Sequence, residues 1–193
     1  MTAEVAWRLF IERGYDHVTV SDICAAADIA PRTFHRYFAS KEDVVSEPVR
    51  RMNRLVTDFI AAAPPAAVDA EVMRLAMLEL GRFVVDNKAW LIALRTVVRQ
   101  SHQLKSAYVG PRPDHDEVIA GLLAARHAGM TEPHWRLRLS VACAIAAFRI
   151  WYDDFLQQSP AAPIGHLDEI LSVLADATVP IASAITTAQV AAL

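Results

Sequence analysis

Val18-Thr-Val-Ser-Asp-Ile-Cys-Ala-Ala-Ala-Asp-Ile-Ala-Pro-Arg-Thr-Phe-His-Arg-Tyr-Phe-Ala-Ser-Lys-Glu-Asp-Val44 decides the fold of this chain. Thr19-Val-Ser-Asp22 fits a capping box, in which the threonine hydroxyl and the aspartate carboxylate satisfy amides that a helix start leaves without partners. Val18 and Ile23 flank the box as a hydrophobic staple. The helix so opened is short and ends near Ala27. Asp28-Ile29-Ala30 makes a turn, with Ile29 pointing inward. Pro31 opens a second short helix, because its missing N–H costs nothing in a first turn. That helix ends near Phe38. Phe34 and Phe38, spaced i and i+4, are expected to face the core. Arg32, Thr33, His35 and Arg36 are then left on or beside the outer face.

Upstream, a supporting helix is predicted from about Ala3 to Arg13. Val5, Ala6, Leu9 and Phe10 form its apolar stripe, and Gly14 sits where a left-handed cap belongs. Two short helices joined by a tight turn behind a supporting helix make a helix-turn-helix, whose second short helix enters the major groove of double-stranded DNA. Arginine and histidine donate to guanine O6 and N7, and a threonine methyl meets a thymine methyl. Tyr37, Lys41 and Thr19 sit where a hydroxyl, an ammonium and a helix N-terminus hold phosphates. The candidate DNA-binding residues are therefore Thr19, Arg32, Thr33, His35, Arg36, Tyr37 and Lys41.

Composition agrees with a helical regulator. The chain has 193 residues, enough for one domain or for a small domain joined to a medium one. Its 54% hydrophobic and 21% charged content excludes disorder, and its 6 Gly and 10 Pro exclude fibrous or low-complexity architecture. Alanine is abundant and alternating strand patterns are absent, so the fold class is all-α. The net charge is −3, so no global basic field points to nucleic acid. Locally the sign reverses: residues 31–54 hold Arg32, Arg36, Lys41, Arg50, Arg51 and Arg54 against Glu42, Asp43 and Glu47. A basic head inside an acidic average still reads as DNA-binding.

About nine helices are predicted in all. The fourth runs from Ser40 to about Ala62 and is expected to kink or break near Glu47, because the Pro48 ring clashes with the carbonyl of Val44. The others lie at about 69–86, 88–101, 114–128, 132–158 and 165–190. The expected division is a DNA-binding domain over 1–46 and a ligand-binding and dimerisation domain over 47–193. Cys24 and Cys143 lie far apart in apolar contexts and read as reduced packing residues. No signal peptide and no membrane span is expected, which makes a cytoplasmic protein the expectation.

The quoted stretch closely resembles the DNA-binding head of the TetR (tetracycline repressor) family of regulators, and Leu9-Phe10 with Gly14-Tyr15 resembles that family's first helix. The resemblance implies an all-helical homodimeric repressor with a ligand pocket in its C-terminal domain. It places Thr33, His35 and Tyr37 at recognition positions and Lys41 at a phosphate-contacting position. Asp28 replaces a common turn glycine, and His35 replaces the more usual tyrosine. The basic arm that many relatives carry ahead of helix 1 is missing. That departure motivates an alternative: a helical small-molecule-binding protein with a degenerate DNA-binding head.

Beyond the head, Met73, Met77, Phe83, Trp90, Leu94, Phe148, Trp151 and Tyr152 are the candidate ligand-binding residues. Each alone is an ordinary core residue. Together they suit an apolar chamber between helices, because methionine and aromatic side chains adapt to a ligand's shape. The helix at 132–158 is apolar on nearly every side from Leu139 to Tyr152, and a helix apolar all round is buried all round. The helix at 165–190 repeats Leu167, Leu171, Leu174, Val179 and Ile181. These two, the eighth and ninth helices, are the expected two-fold homodimer interface. A homodimer implies a pseudo-palindromic operator.

Arg149 is expected to pair with Asp153, or else to meet an anion at the pocket. Arg95 and Arg99, near His102, make a solvated face. The segment from Trp135 to Phe155 resembles the C-terminal half of mycofactocin-cluster-type regulators, on no more than a pattern of small apolar residues around one arginine. That resemblance implies a small apolar effector, acyl-CoA-like or fatty, with an acidic head. No metal site, cofactor or catalytic constellation is expected. The histidines are scattered, and His127 and His134 lack a third ligand.

Overall fold

The computed structural model describes residues 2–101, 104–105, 113–127, 135–158 and 160–173. Helices α1 (Thr2–Arg13), α2 (Val20–Ala26), α3 (Pro31–Tyr37), α4 (Lys41–Ala62), α5 (Asp69–Asp86) and α6 (Lys88–Gln100) follow one another, with a 3-10 turn at Tyr15–His17. Then come α7 (Pro113–Ala124), α8 (Trp135–Gln158) and the helical residues 163–173, here α9. There is no strand among the described residues, and the fold is all-α as expected. No helix among them is long and apolar enough to cross a membrane.

Backbone proximity divides the chain into two units, 1–52 with 87–111 and 53–86 with 112–193. The first differs from the expected head by taking in α6. The reason lies in residues the α1 stripe did not include. Trp7 is buried on α1 and meets Trp90 of α6 edge to face, with ring centroids 6.4 Å apart. At the end of α6, fully buried Ser101 donates its hydroxyl to Asp16 at 2.7 Å. Of the expected core of this unit, Ala6, Leu9, Phe10, Val18, Ile23 and Phe34 are buried, while Val5, Ile29 and Phe38 are only half-buried.

Local sequence sets the turns. Gly14 lies at φ 82 and ψ 140, a positive-φ but extended conformation rather than the expected left-handed cap, and one open essentially to glycine. Asp28 lies at φ 51 in the turn before α3, where its short polar side chain tolerates the left-handed region. The fourth helix does not break at Pro48; α4 runs through it to Ala62.

The second unit is built around Trp151 of α8, which is fully buried. Its ring stacks on Phe155 at 5.2 Å, and its indole N–H donates to the Pro163 carbonyl at 2.8 Å. Gly81 lets α9 approach α5 closely: a Cβ there would lie 2.5 Å from Leu167 Cδ2. Leu167 and Leu171 are therefore buried within their own unit, not left on an outer face. Leu174, Val179 and Ile181 lie outside the described residues.

One arginine closes the loop between α4 and α5. The Arg126 guanidinium donates to the carbonyls of Ala63 at 3.1 Å, Pro64 at 2.8 Å and Ala67 at 2.9 Å, and to Asp69 Oδ1 at 3.1 Å. Its side chain is only 8% exposed. Arg126→Met keeps the stem's packing but leaves three carbonyls and a half-buried carboxylate short of donors. The expected loss is about 2–4 kcal/mol of unfolding free energy, read by urea denaturation of the full chain.

Candidate nucleic-acid interface

The helix expected to read bases is α3, with Pro31 in its first turn and no side-chain cap. Phe34 anchors it: the ring is fully buried and lies 5.6 Å from Phe38, which is only partly buried. With that side pinned, Arg32, His35, Arg36 and Tyr37 are exposed, and Thr33 is half-buried. The structure thus brings five candidate contacts onto one short helix.

The other two candidates are placed differently. The Thr19 hydroxyl accepts from the Asp22 amide at 3.1 Å and donates to Asp22 Oδ2 at 2.5 Å, and the Thr19 amide donates to the same oxygen at 2.8 Å. These bonds hold the Asp22 carboxyl below its usual range. The predicted capping box is present, but it puts a carboxylate at the helix end expected to receive a phosphate. Lys41 donates through Nζ to the carbonyls of Tyr15 at 3.0 Å and Val18 at 3.1 Å, and its ammonium lies 4.2 Å from the Tyr15 ring centroid. Its neighbour Glu42 has burial pushing its carboxyl up, but the nearby Ser40 and Tyr15 hydroxyls and the Lys41 charge outweigh that and hold it low.

The second unit carries an apolar groove of about 180 Å³ between α5, α7, α8 and α9. Leu137, Ser140, Val141 and Ala144 present one face of α8 to it, with Met73, Leu123 and Leu171 opposite and Cys143 on the wall. Glu71 and Arg74 stand at its edge. Arg74 is bonded to Glu71 at 2.8 Å and to Asp168, and those partners raise its pKa. Of the eight residues expected to line a ligand chamber, Met73 alone lines this groove.

Met77, Phe148 and Trp151 are core, with Phe83 and Tyr152 partly buried, while Trp90 and Leu94 belong to the first unit. The signal for the groove was the spacing 137, 140, 141, 144, with small Ser140 and Ala144 leaving room. Arg149 is exposed; His102 and His134 lie outside the described residues. No cluster of three metal-binding side chains occurs among the described residues.

Residues 3–47 match the family model of bacterial regulatory proteins, tetR family. The chain is 28% identical over 157 residues to the HTH-type transcriptional regulator TcmR of Streptomyces glaucescens, spanning 76% of this chain and 70% of that one. It is 28% identical over 164 residues to a protein named as the mycofactocin biosynthesis transcriptional regulator MftR of Mycobacterium tuberculosis, spanning 79% of this chain and 78% of that one. A crystal structure assigned to the tetR family, from Mesorhizobium loti, shares the fold with a TM-score of 0.50 at 16% identity, over 89% of this chain and 92% of that one.

Because Lys41 ties the 3-10 turn and the start of α2 to the start of α4, its loss is felt in folding. Lys41→Met is expected to lower stability by about 1–3 kcal/mol, since two carbonyls lose a charged donor. Thermal unfolding followed by circular dichroism measures it, and an unchanged midpoint would exclude the tie.

Proposed function

We propose that the chain, whose residues 3–47 match the tetR family of bacterial regulatory proteins, is a ligand-responsive transcriptional repressor. It docks α3 in the major groove of double-stranded DNA as a homodimer on a pseudo-palindromic operator. A small apolar effector releases it. The observation that carries the reading is the recognition helix itself, with Phe34 fully buried beneath while Arg32, His35, Arg36 and Tyr37 stand exposed. Residues 1–46 supply DNA binding; residues 47–193 supply the effector site and the dimer contact.

The groove on α8 is the proposed effector site. Its lining favours an apolar molecule, and the neighbouring Arg74 is already held by Glu71 and Asp168. The opposite side of α8 supports dimerisation. Trp135, Leu139 and Ile150 are 51%, 49% and 60% exposed, and Val118 of α7 is 53% exposed. Residues 135, 139, 142, 146 and 150 follow helical spacing, so these apolar side chains form a stripe, with small Ala142 and Ala146 allowing close approach. Exposed apolar surface of that extent marks an interface.

Two experiments test the reading. His35→Ala is expected to relax base preference at one position in each half-site, by about 1–3 kcal/mol of discrimination, in operator selection from a random duplex pool. A parent chain that selects no sequence refutes the repressor. Leu139→Asp with Ile150→Asp is expected to turn a dimer into monomers in sedimentation at micromolar concentration. A parent chain already monomeric there refutes the interface.

A further inference from the structure

Two of the residues expected to hold DNA phosphates have polar atoms engaged inside the head. Thr19 is bound to Asp22 through its hydroxyl, and Lys41 to the carbonyls of Tyr15 and Val18. Arg36 and Tyr37 are engaged with each other instead, and in the open. Arg36 Nη2 donates to the Tyr37 phenol oxygen at 2.6 Å, and the guanidinium carbon lies 4.7 Å from the Tyr37 ring centroid. Both residues are exposed, Tyr37 by 61%. Successive residues on a helix do not normally face each other, so this contact requires the arginine stem to fold across to its neighbour.

We propose that Arg36 and Tyr37 act as one preassembled clamp on a single DNA backbone phosphate. The clamp rests on the DNA-binding reading above. The bond between them uses a lone pair of the phenol oxygen and leaves the phenol proton to donate outward. The guanidinium has five N–H groups, and only one is used here. A phosphate oxygen placed beside the pair accepts from the phenol and the guanidinium together. Donation by a cation to the phenol oxygen polarises the O–H and makes it a stronger donor. Holding the arginine over the ring also removes part of the rotamer freedom that binding would otherwise have to remove. Neither side chain does this alone, so the contributions of the two are coupled.

A phosphate contact carries no sequence information, so the test uses two duplexes: an operator selected by the parent chain and a scrambled sequence of equal length. The full-length parent, Tyr37→Phe, Arg36→Gln and the double variant are compared by fluorescence anisotropy across a salt series. Tyr37→Phe keeps the ring and removes only the hydroxyl; its melting temperature should match the parent's. Each single change is expected to weaken binding about 10-fold on both duplexes, the range of a hydrogen bond to a charged group. The double variant is expected to lose little more than the worse single. The salt slope should fall by about one unit in Arg36→Gln and by part of that in Tyr37→Phe, where the arginine is no longer held.

Losses that multiply in the double variant overturn the clamp, as does a Tyr37→Phe variant that binds like the parent. Losses confined to the selected operator overturn it too, because they would mean base readout. A parent chain that binds neither duplex at low salt overturns the DNA-binding reading and the clamp with it.

Discussion

The geometry of the head depends on the ammonium of Lys41. It stands in the first turn of α4, right behind α3, and reaches back to the Tyr15 and Val18 carbonyls. Those carbonyls belong to the first residue of the 3-10 turn and to the residue that follows the turn, just before the Thr19 cap of α2. One cation therefore fixes where α2 begins relative to where α4 begins, and α3 is held between them. The Tyr15 carbonyl also accepts from the Val18 amide at 3.2 Å, so the ammonium adds a second, charged donor to the turn's own backbone bond. Packing does the rest: Tyr15 is buried under the same ammonium and lies 5.1 Å from Phe10, which ties the assembly to α1.

Most of this was legible in the sequence because local chemistry dictates it. The Thr19–Asp22 box, Pro31 at a helix start, the Phe34 anchor and the positive-φ residues at Gly14 and Asp28 are each decided within four or five residues. What stayed hidden was the destination of apolar side chains. Periodicity says that a face is buried but not against what. Trp90 and Leu94 read as walls of a ligand chamber, yet α6 goes with α1, where Trp7 and Trp90 meet. Trp151 read as a ligand contact, yet its N–H is used by Pro163. The Lys41 ammonium was likewise legible by type but not by partner.

Helix α8 shows the same limit from the other side. Its all-round apolarity predicted two buried faces. One is buried in the described unit through Val141, Ala144, Phe148 and Trp151. The other, at Trp135, Leu139 and Ile150, remains open. Removing this apolar area from water is favourable at about 25 cal/mol per Å², so an exposed stripe of large side chains is a standing drive toward association. Alanines at 142 and 146 set how closely a partner helix can approach. The sequence pattern thus carried the apolarity of both faces, and the fold shows which residues stay exposed.

Pro48 shows how a local rule gives way to a local network. The proline removes the amide that the Val44 carbonyl would accept from, which argued for a kink or a break in α4. Arg50 lies two residues beyond it and reaches back across it. Its guanidinium donates to the Asp43 carboxylate at 2.5 Å, to the Asp43 carbonyl at 2.9 Å and to Glu47 at 3.1 Å. Burial lowers the arginine's pKa, but these two carboxylates raise it further than burial lowers it. Ser46 adds a bond to the Glu42 carbonyl at 2.8 Å. Side-chain donors thus span the turn that the proline weakens, while the charges on Asp43 and Glu47 are absorbed by Arg50.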